Sequence, residues 1–358
     1  MIRRFHPGEV AVSDISAVRE IHWVGGKYMK SPWYQTLTPK GVQNLFNTNK
    51  PQFHSGNRRL LSMPMSDTTL RVVEPLADSR IQFTIHRMKD DMEQAGWILI
   101  TSDIIGELSF GQSLGLLEIG TVSGGHRMVQ YANEAIARYK KQLVTNAEKP
   151  KGSLFTRLYN ATADELTVAE IRDEAISYII AGSDTTATSL TYLVWAVCHN
   201  PNTRQLTFLG QVINEALRLY AAAPSVLPRV MPSGGRILAG HFVPEGTTIS
   251  NQAYSLHRDP TIFPDPTRFN PCRWETPTKM MKDAFMPFGG GSRSSVPICI
   301  GLHLALQEIR LATSYFFRAF PRAEVFHGNS TEEDMDQVIH FLMAPKGKRC
   351  LIRWLGPS

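Results

Sequence analysis

A mainly α-helical protein with small peripheral β elements is the fold class this sequence predicts. Three observations carry that expectation. One apolar run starts at Thr167, stops at Asn200-Pro201 and is about thirty residues long, well past the usual helix. Two further stretches, 209–220 and 302–320, repeat apolar residues at helical spacing. The segments that read as strands are short and bounded by Gly and Pro.

The elements follow in order. Residues 10–21 and 67–96 read as helical, and 102–110 as a short buried helix. The pattern breaks over 115–125, at Thr-Val-Ser-Gly-Gly, and resumes over 128–146. Thr167-Val-Ala-Glu170 fits a capping box, in which each side chain satisfies the other's backbone N–H. The helix that follows is apolar on most faces, through Ile171, Ile176, Ile180, Leu190, Leu193 and Val197, and should run through the core. After the helix over 209–220 come turns at Pro224, Pro228, Gly234-Gly235 and Gly246, with a short strand over 247–250. A Pro-rich meander covers 259–274, and the tail over 337–355 alternates like paired strands. No repeat or low-complexity linker divides the chain, so residues 1–358 are read as a single domain.

Composition narrows the classes. With 42% hydrophobic and 20% charged residues the chain is globular. Cys198, Cys272, Cys299 and Cys350 are widely spaced and form no CxxC pair, which argues against a disulfide framework or zinc ribbon and fits a reducing compartment. The net charge of +6 is dispersed. Lys140-Lys141 and Lys346-Gly-Lys348-Arg349 lack interleaved aromatics and read as solvated faces or a dock for an acidic partner, not as a nucleic-acid surface. No stretch is apolar enough to span a membrane, and Met1-Ile-Arg-Arg-Phe-His-Pro has no signal-peptide core. As written, the chain is expected to be soluble or peripherally attached.

Four motifs carry chemistry. Phe288-Gly-Gly-Gly-Ser-Arg293-Ser-Ser-Val-Pro-Ile-Cys299-Ile-Gly301 delivers one cysteine to the start of an apolar helix. The unpaired N–H groups of a first turn favour a thiolate there. A cysteine without partner Cys or His suits haem iron better than zinc. A buried, chemically inert cysteine is the plain alternative. In the long helix, Ala181-Gly182-Ser183-Asp184-Thr185-Thr186 is polar inside an apolar element, and Thr and Asp there compete for backbone bonds. A loosened turn with an acid and a hydroxyl could hold water and relay protons, or the run could be a kink satisfied by a neighbouring loop. Glu215-Ala-Leu-Arg218 puts opposite charges at i and i+3. Flanked by Val212, Ile213 and Leu217, the pair is either a buried bidentate lock completed by a second arginine or an ordinary surface pair. Arg229 in a stiff Pro segment and Arg293 in the glycine loop could each bind a carboxylate, or sit on the surface.

In order and context these motifs resemble those of the cytochrome P-450 family, the haem-thiolate monooxygenases. Ala181-Gly-Ser-Asp-Thr185-Thr186 resembles the family's oxygen-activation helix, Glu215-Ala-Leu-Arg218 its ExxR motif, and Pro271-Cys-Arg273-Trp274 its PxRF/W motif. The glycine loop and Cys299-Ile-Gly301-Leu-His-Leu-Ala305 resemble the halves of its haem loop. GEVAVSDISAVREIH, SDIIGELSFG, AYSLHRDP and CIGLHLALQEIRLAT are similar to fungal secondary-metabolite members. The resemblance implies haem b as cofactor, with Cys299 as axial ligand ahead of Gly301. It implies proton delivery by Asp184 and Thr185, close passage of the helix at Ala181-Gly182, and a structural triad of Glu215, Arg218 and Arg273. Arg229 and Arg293 would bind propionates, and so would Arg58, since His54-Ser-Gly-Asn-Arg58 stands where the family often has WxxxR. A small lipophilic substrate, O2, an NADPH-cytochrome P-450 reductase and an endoplasmic reticulum membrane location are implied as well.

The chain departs from that pattern in two ways. Family spacing is Arg-x-Cys, whereas Ser-Ser-Val-Pro-Ile separates Arg293 from Cys299, four residues more. Counting from Phe288 puts Ser295 in the ligand position, and counting back from the helix puts Cys299 there. We take the helix register. The family's usual N-terminal anchor and parts of its pocket-roof helices are also expected to be missing. The rival readings are a degenerate member with impaired haem binding and no turnover, and a helical interaction protein in which Cys299 is a core residue. A zinc hydrolase is disfavoured because no HExxH occurs.

Overall fold

The architecture is that of a computed structural model describing residues 2–23, 27–62, 65–71, 74–90, 101, 103–106, 133, 134, 137, 141, 167–205, 208–290, 299–326 and 331–354. Its helices are α1 (Ile15–Ile21), α2 (Pro51–Ser62), α3 (Asp67–Leu70), α4 (Glu74–Asp90), α5 (Val168–His199), α6 (Leu209–Leu219), α7 (Ala253–Leu256), α8 (Lys279–Ala284) and α9 (Leu302–Ala319). Its strands are β1 (Ile2–His6), β2 (Glu9–Val12), β3 (Met29–Lys30), β4 (Arg229–Val230), β5 (Arg236–Leu238), β6 (His241–Val243), β7 (Thr248–Ser250), β8 (Ala323–Val325), β9 (Gln337–Ile339), β10 (Met343–Pro345) and β11 (Ile352–Trp354). The class is mainly α with small sheets.

The long helix starts and stops for the reasons its sequence shows. The Glu170 N–H donates to the Thr167 hydroxyl at 3.2 Å, and the Thr167 N–H donates back to the Glu170 carboxylate at 2.8 Å. That reciprocal cap satisfies two end groups of α5. The helix runs 32 residues to His199, and Asn200-Pro201 ends it because proline disfavours helical backbone at the residue before it.

Residues 10–21 are not one helix. Glu9–Val12 is strand β2, antiparallel to β1 and parallel to β7, with Val10 opposite Ile249. Helix α1 begins only at Ile15, where the Asp14 carboxylate accepts the Ala17 N–H at 2.9 Å. The expected helix over 67–96 is divided into α3 and α4, with Pro75 in the first turn of α4, where its missing N–H costs nothing. Of the expected helix over 102–110, residues 103–106 are helical, with Ile104 and Ile105 buried. Residues 115–125 and most of 128–146 lie outside the described residues. In the tail, β9 pairs with β10, whereas β11 pairs with β8.

Two compact units emerge. The first comprises Met1–Trp33, Thr188–Leu302 and Phe320–Ser358. It holds a five-stranded sheet of order β1-β2-β7-β4-β3 over a core that includes Val12, Val18, Ile21, Met231, Ile249 and Met286. The second comprises Tyr34–Ala187 and His303–Ala319. Leu61, Leu70, Ile81, Ile104, Ile179 and Ile309 are buried in it.

Candidate functional site

Glu215 accepts five hydrogen bonds within the first unit. It and Arg218 are fully buried one turn apart on α6. Arg218 Nη2 and Nε donate to Glu215 Oε1 and Oε2 at 2.8 and 2.9 Å, a bidentate pair. Arg273 Nε donates to the same carboxylate at 3.0 Å, the Asn270 N–H at 2.9 Å and the Trp274 indole Nε1–H at 2.9 Å. The spare guanidinium hydrogens reach backbone carbonyls. Arg218 donates to His257 and Pro266, both at 2.6 Å, and Arg273 to Pro264 at 2.7 Å. These bonds clamp α6 to the 3-10 turn Pro271–Trp274 and to the meander before it. The surface-pair alternative is excluded. Asn270, Trp274 and His257 had not been singled out; of these, Trp274 stood inside the Pro271-Cys-Arg273-Trp274 motif.

The polar run of α5 belongs to the second unit. The helix is continuous through it. The Thr185 hydroxyl donates to the Ala181 carbonyl at 2.6 Å. The Thr101 hydroxyl donates to the Ser183 carbonyl at 2.9 Å, so a neighbouring segment does satisfy part of the run. Ala181 is exposed, while Asp184 and Thr185 are half-buried. Burial raises the Asp184 pKa above its ordinary value. Gly182 has a packing role that its neighbours in sequence do not announce. A Cβ built there would lie 3.0 Å from Ile105 Cγ1, so Ile105 occupies the space a larger residue would need.

Cys299 is half-buried immediately before α9, and its thiol is in no disulfide. Its N–H donates to the Phe288 carbonyl at 3.1 Å. That bond closes the glycine loop whatever course residues 289–298 take. Gly301 faces the sulfur, and a Cβ there would lie 3.9 Å from Sγ. Arg293 and Ser295 lie outside the described residues.

The remaining arginines are placed separately. Arg229 is buried in β4, its backbone paired with Lys30 and Ile249. Its charge adds to burial, the larger cause, in lowering the pKa of buried His22 to about 4. Arg58 is half-buried on α2, one turn after His54.

The Cytochrome P450 family model matches residues 202–352. Cytochrome P450 monooxygenase orf2 of Aspergillus niger is 39% identical over 420 aligned residues, covering 98% of this chain and 85% of its own length. Cytochrome P450 monooxygenase tazI of Aspergillus terreus is 40% identical, with 98% and 85% covered. Cytochrome P450 monooxygenase azaI of Aspergillus niger is 37% identical, with 98% and 93% covered.

The chain belongs to the cytochrome P450 family.

It is therefore a monooxygenase-type oxidoreductase, and the cofactor of its family is haem bound through a cysteine thiolate. Cytochromes P450 work with O2, a substrate and a redox partner. The residues present fit such a group. Among the described residues no three His, Cys, Asp or Glu side chains gather as a metal nest. A single half-buried thiol at a helix start suits a metal that brings four donors of its own, as haem iron does.

One more buried group belongs to this cytochrome P450. Glu308 on α9 is 2% exposed, and burial raises its pKa to about 8. It had passed unnoticed, although Leu304, Glu308, Ile309, Ala312, Thr313 and Phe316 mark one buried face of the helix.

Proposed function

We propose that this cytochrome P450 inserts one atom of O2 into a small lipophilic substrate, of the secondary-metabolite kind, with electrons from an NADPH-dependent flavoprotein reductase. The observation that carries this reading is the backbone bond from Cys299 to Phe288, which seats the cysteine at the start of α9 despite the four extra residues. Residues 1–358 act as one cytochrome P450 domain in this reading, supported by relatives that match 98% of the chain. An endoplasmic reticulum location follows from the family. Among the described residues no helix is long and apolar enough to cross a membrane.

Each site residue has a role in this reading. Cys299 is the axial ligand, and Gly301 leaves room beside its sulfur. Arg58, Arg229 and Arg293 bind the propionates. Ala181, exposed and small, lines the cofactor side of α5, and Gly182 holds α5 tight on Ile105. Glu215, Arg218 and Arg273 hold the meander that precedes the glycine loop. When bound, the haem supplies the activation of O2. Asp184 keeps a proton more readily than an exposed aspartate because it is partly desolvated. The Thr185 hydroxyl, parked on the Ala181 carbonyl, needs one χ1 rotation to donate outward.

A second reading, a member that folds but holds haem poorly, rests on the four-residue insert. Alignments of 420 positions against a chain of 358 residues support it, because at least 62 positions of the relative have no counterpart here. Reconstitution with a flavoprotein reductase, NADPH and labelled O2 over a panel of lipophilic aromatics separates the two. Labelled oxygen in a product supports the first reading. A protein that stays haem-free when haem is supplied sinks it.

A further inference from the structure

The outer face of α1 borders a cavity of about 410 Å³, within the size range of small-molecule sites, about 300–1,000 Å³. Ala17, Val18 and Ile21 turn the inner face of this helix into the core of the first unit. Arg19, Glu20 and Trp23 line the cavity, and Lys27, Tyr28 and Arg236 of β5 complete it. Trp23 follows the helix cap, and its N–H donates to the Glu20 carbonyl at 3.2 Å, so the last turn of α1 carries the indole. That ring is 65% exposed, a large flat surface left in water.

The charges around it are unevenly matched. Arg19 is held by Asp283 at 3.3 Å. The Tyr28 hydroxyl donates to the Glu20 carboxylate at 2.6 Å. Burial, and then that bond, raise the Tyr28 pKa, so the phenol stays neutral. Lys27 and Arg236 are exposed and have no ion pair among the described residues. The Arg236 charge nonetheless reaches the Tyr28 phenol, which places the guanidinium at the cavity. Glu20 offsets one of these two cations, and one positive charge is left over beside the exposed indole. We propose that this cavity binds a small planar aromatic carboxylate, with its ring on Trp23 and its carboxylate on Arg236 and Lys27. The Arg236 fork can take both carboxylate oxygens at once, and Lys27 adds a point charge. The site shares no residue with the Cys299 loop or the polar turn of α5. The inference therefore does not rest on the monooxygenase reading.

The test is calorimetric titration of the purified protein at low salt with 2-naphthoate, and with 2-naphthamide as its uncharged counterpart. Soret spectra recorded in parallel show whether a ligand also enters the haem pocket. Calorimetry needs no turnover, so the result stands even if the monooxygenase reading fails. 2-Naphthoate should bind the parent at least tenfold more tightly than 2-naphthamide. Arg236→Ala should weaken 2-naphthoate about tenfold, the worth of one hydrogen bond to a charged group, and leave 2-naphthamide unchanged. Lys27→Ala should weaken 2-naphthoate less, and Trp23→Ala should weaken both ligands. These side chains are exposed, so the variants should fold as the parent does. The proposal is overturned if 2-naphthoate does not bind, if 2-naphthamide binds as tightly, or if 2-naphthoate affinity survives both Arg236→Ala and Trp23→Ala. Binding that tracks the Soret change and ignores these variants would place the ligand in the haem pocket and also overturn it.

Discussion

Replacing Glu215 by glutamine removes one charge and keeps the shape of the side chain. The carboxylate accepts five hydrogen bonds, three of them from the guanidinium groups of Arg218 and Arg273. Arg218 is 0% exposed and Arg273 7%, so neither can recover water when the negative charge goes. Breaking one side of such a buried pair costs about 3–5 kcal/mol, against a total stability of about 5–15 kcal/mol for a typical domain. The amide NH2 of glutamine also faces donors where an acceptor is needed, so the upper half of that range applies. Trp274→Phe keeps the ring and loses one N–H donor to a charged acceptor, for a cost of about 1.5–3 kcal/mol. Urea unfolding followed by far-UV circular dichroism and by the haem Soret band measures both. Glu215→Gln should lower the midpoint far more than Trp274→Phe, with haem lost in the same transition. A loss below about 1 kcal/mol for Glu215→Gln, the worth of an exposed pair, refutes the claim that this network holds the fold.

Three more expectations concern α5 and α9. Thr185→Ala should leave stability unchanged within a few tenths of a kcal/mol, since alanine favours helix, while product formed per O2 consumed falls by roughly an order of magnitude; unchanged coupling removes Thr185 from proton delivery. Gly182→Val should destabilise by about 1–3 kcal/mol through its clash with Ile105, and Ile105→Ala should restore part of that loss in the double variant. Glu308 has an ordinary pKa of 4.5 when unfolded and about 8 when folded, so its favourable contribution is complete below 4.5 and is lost as pH rises to about 8. Glu308→Gln should therefore be more stable than the parent at pH 7 by roughly 3 kcal/mol, and no more stable near pH 4, as read from urea midpoints at the two pH values.

What could be read in the sequence was whatever depends on neighbours in the chain. The Thr167–Glu170 cap, the stop at Asn200-Pro201 and the i, i+3 pairing of Glu215 with Arg218 are local, and each forms with the predicted partners. Arg273 could be read only because a motif marks it, since nothing local says that it meets Glu215. Long-range pairing defeated the reading of residues 10–21. Glu-Val-Ala-Val alternates with period two, but β7, which makes it an interior strand, lies far down the chain. The packing of Gly182 on Ile105 and the burial of Glu308 were missed for the same cause. The first is required by Ile105 and the second is sheltered by α5, and neither relation leaves a trace in its own neighbourhood.

The central claim is that Cys299, and not Ser295, presents the thiolate to haem iron. The carbon monoxide difference spectrum of the reduced protein, expressed with ample haem, tests it directly in the parent, Cys299→Ser and Ser295→Ala forms. The account predicts a red-shifted thiolate-type Soret band in the parent and in Ser295→Ala, and its loss in Cys299→Ser. A thiolate band that survives Cys299→Ser, or a parent protein whose band is that of neutral ligation, would contradict it.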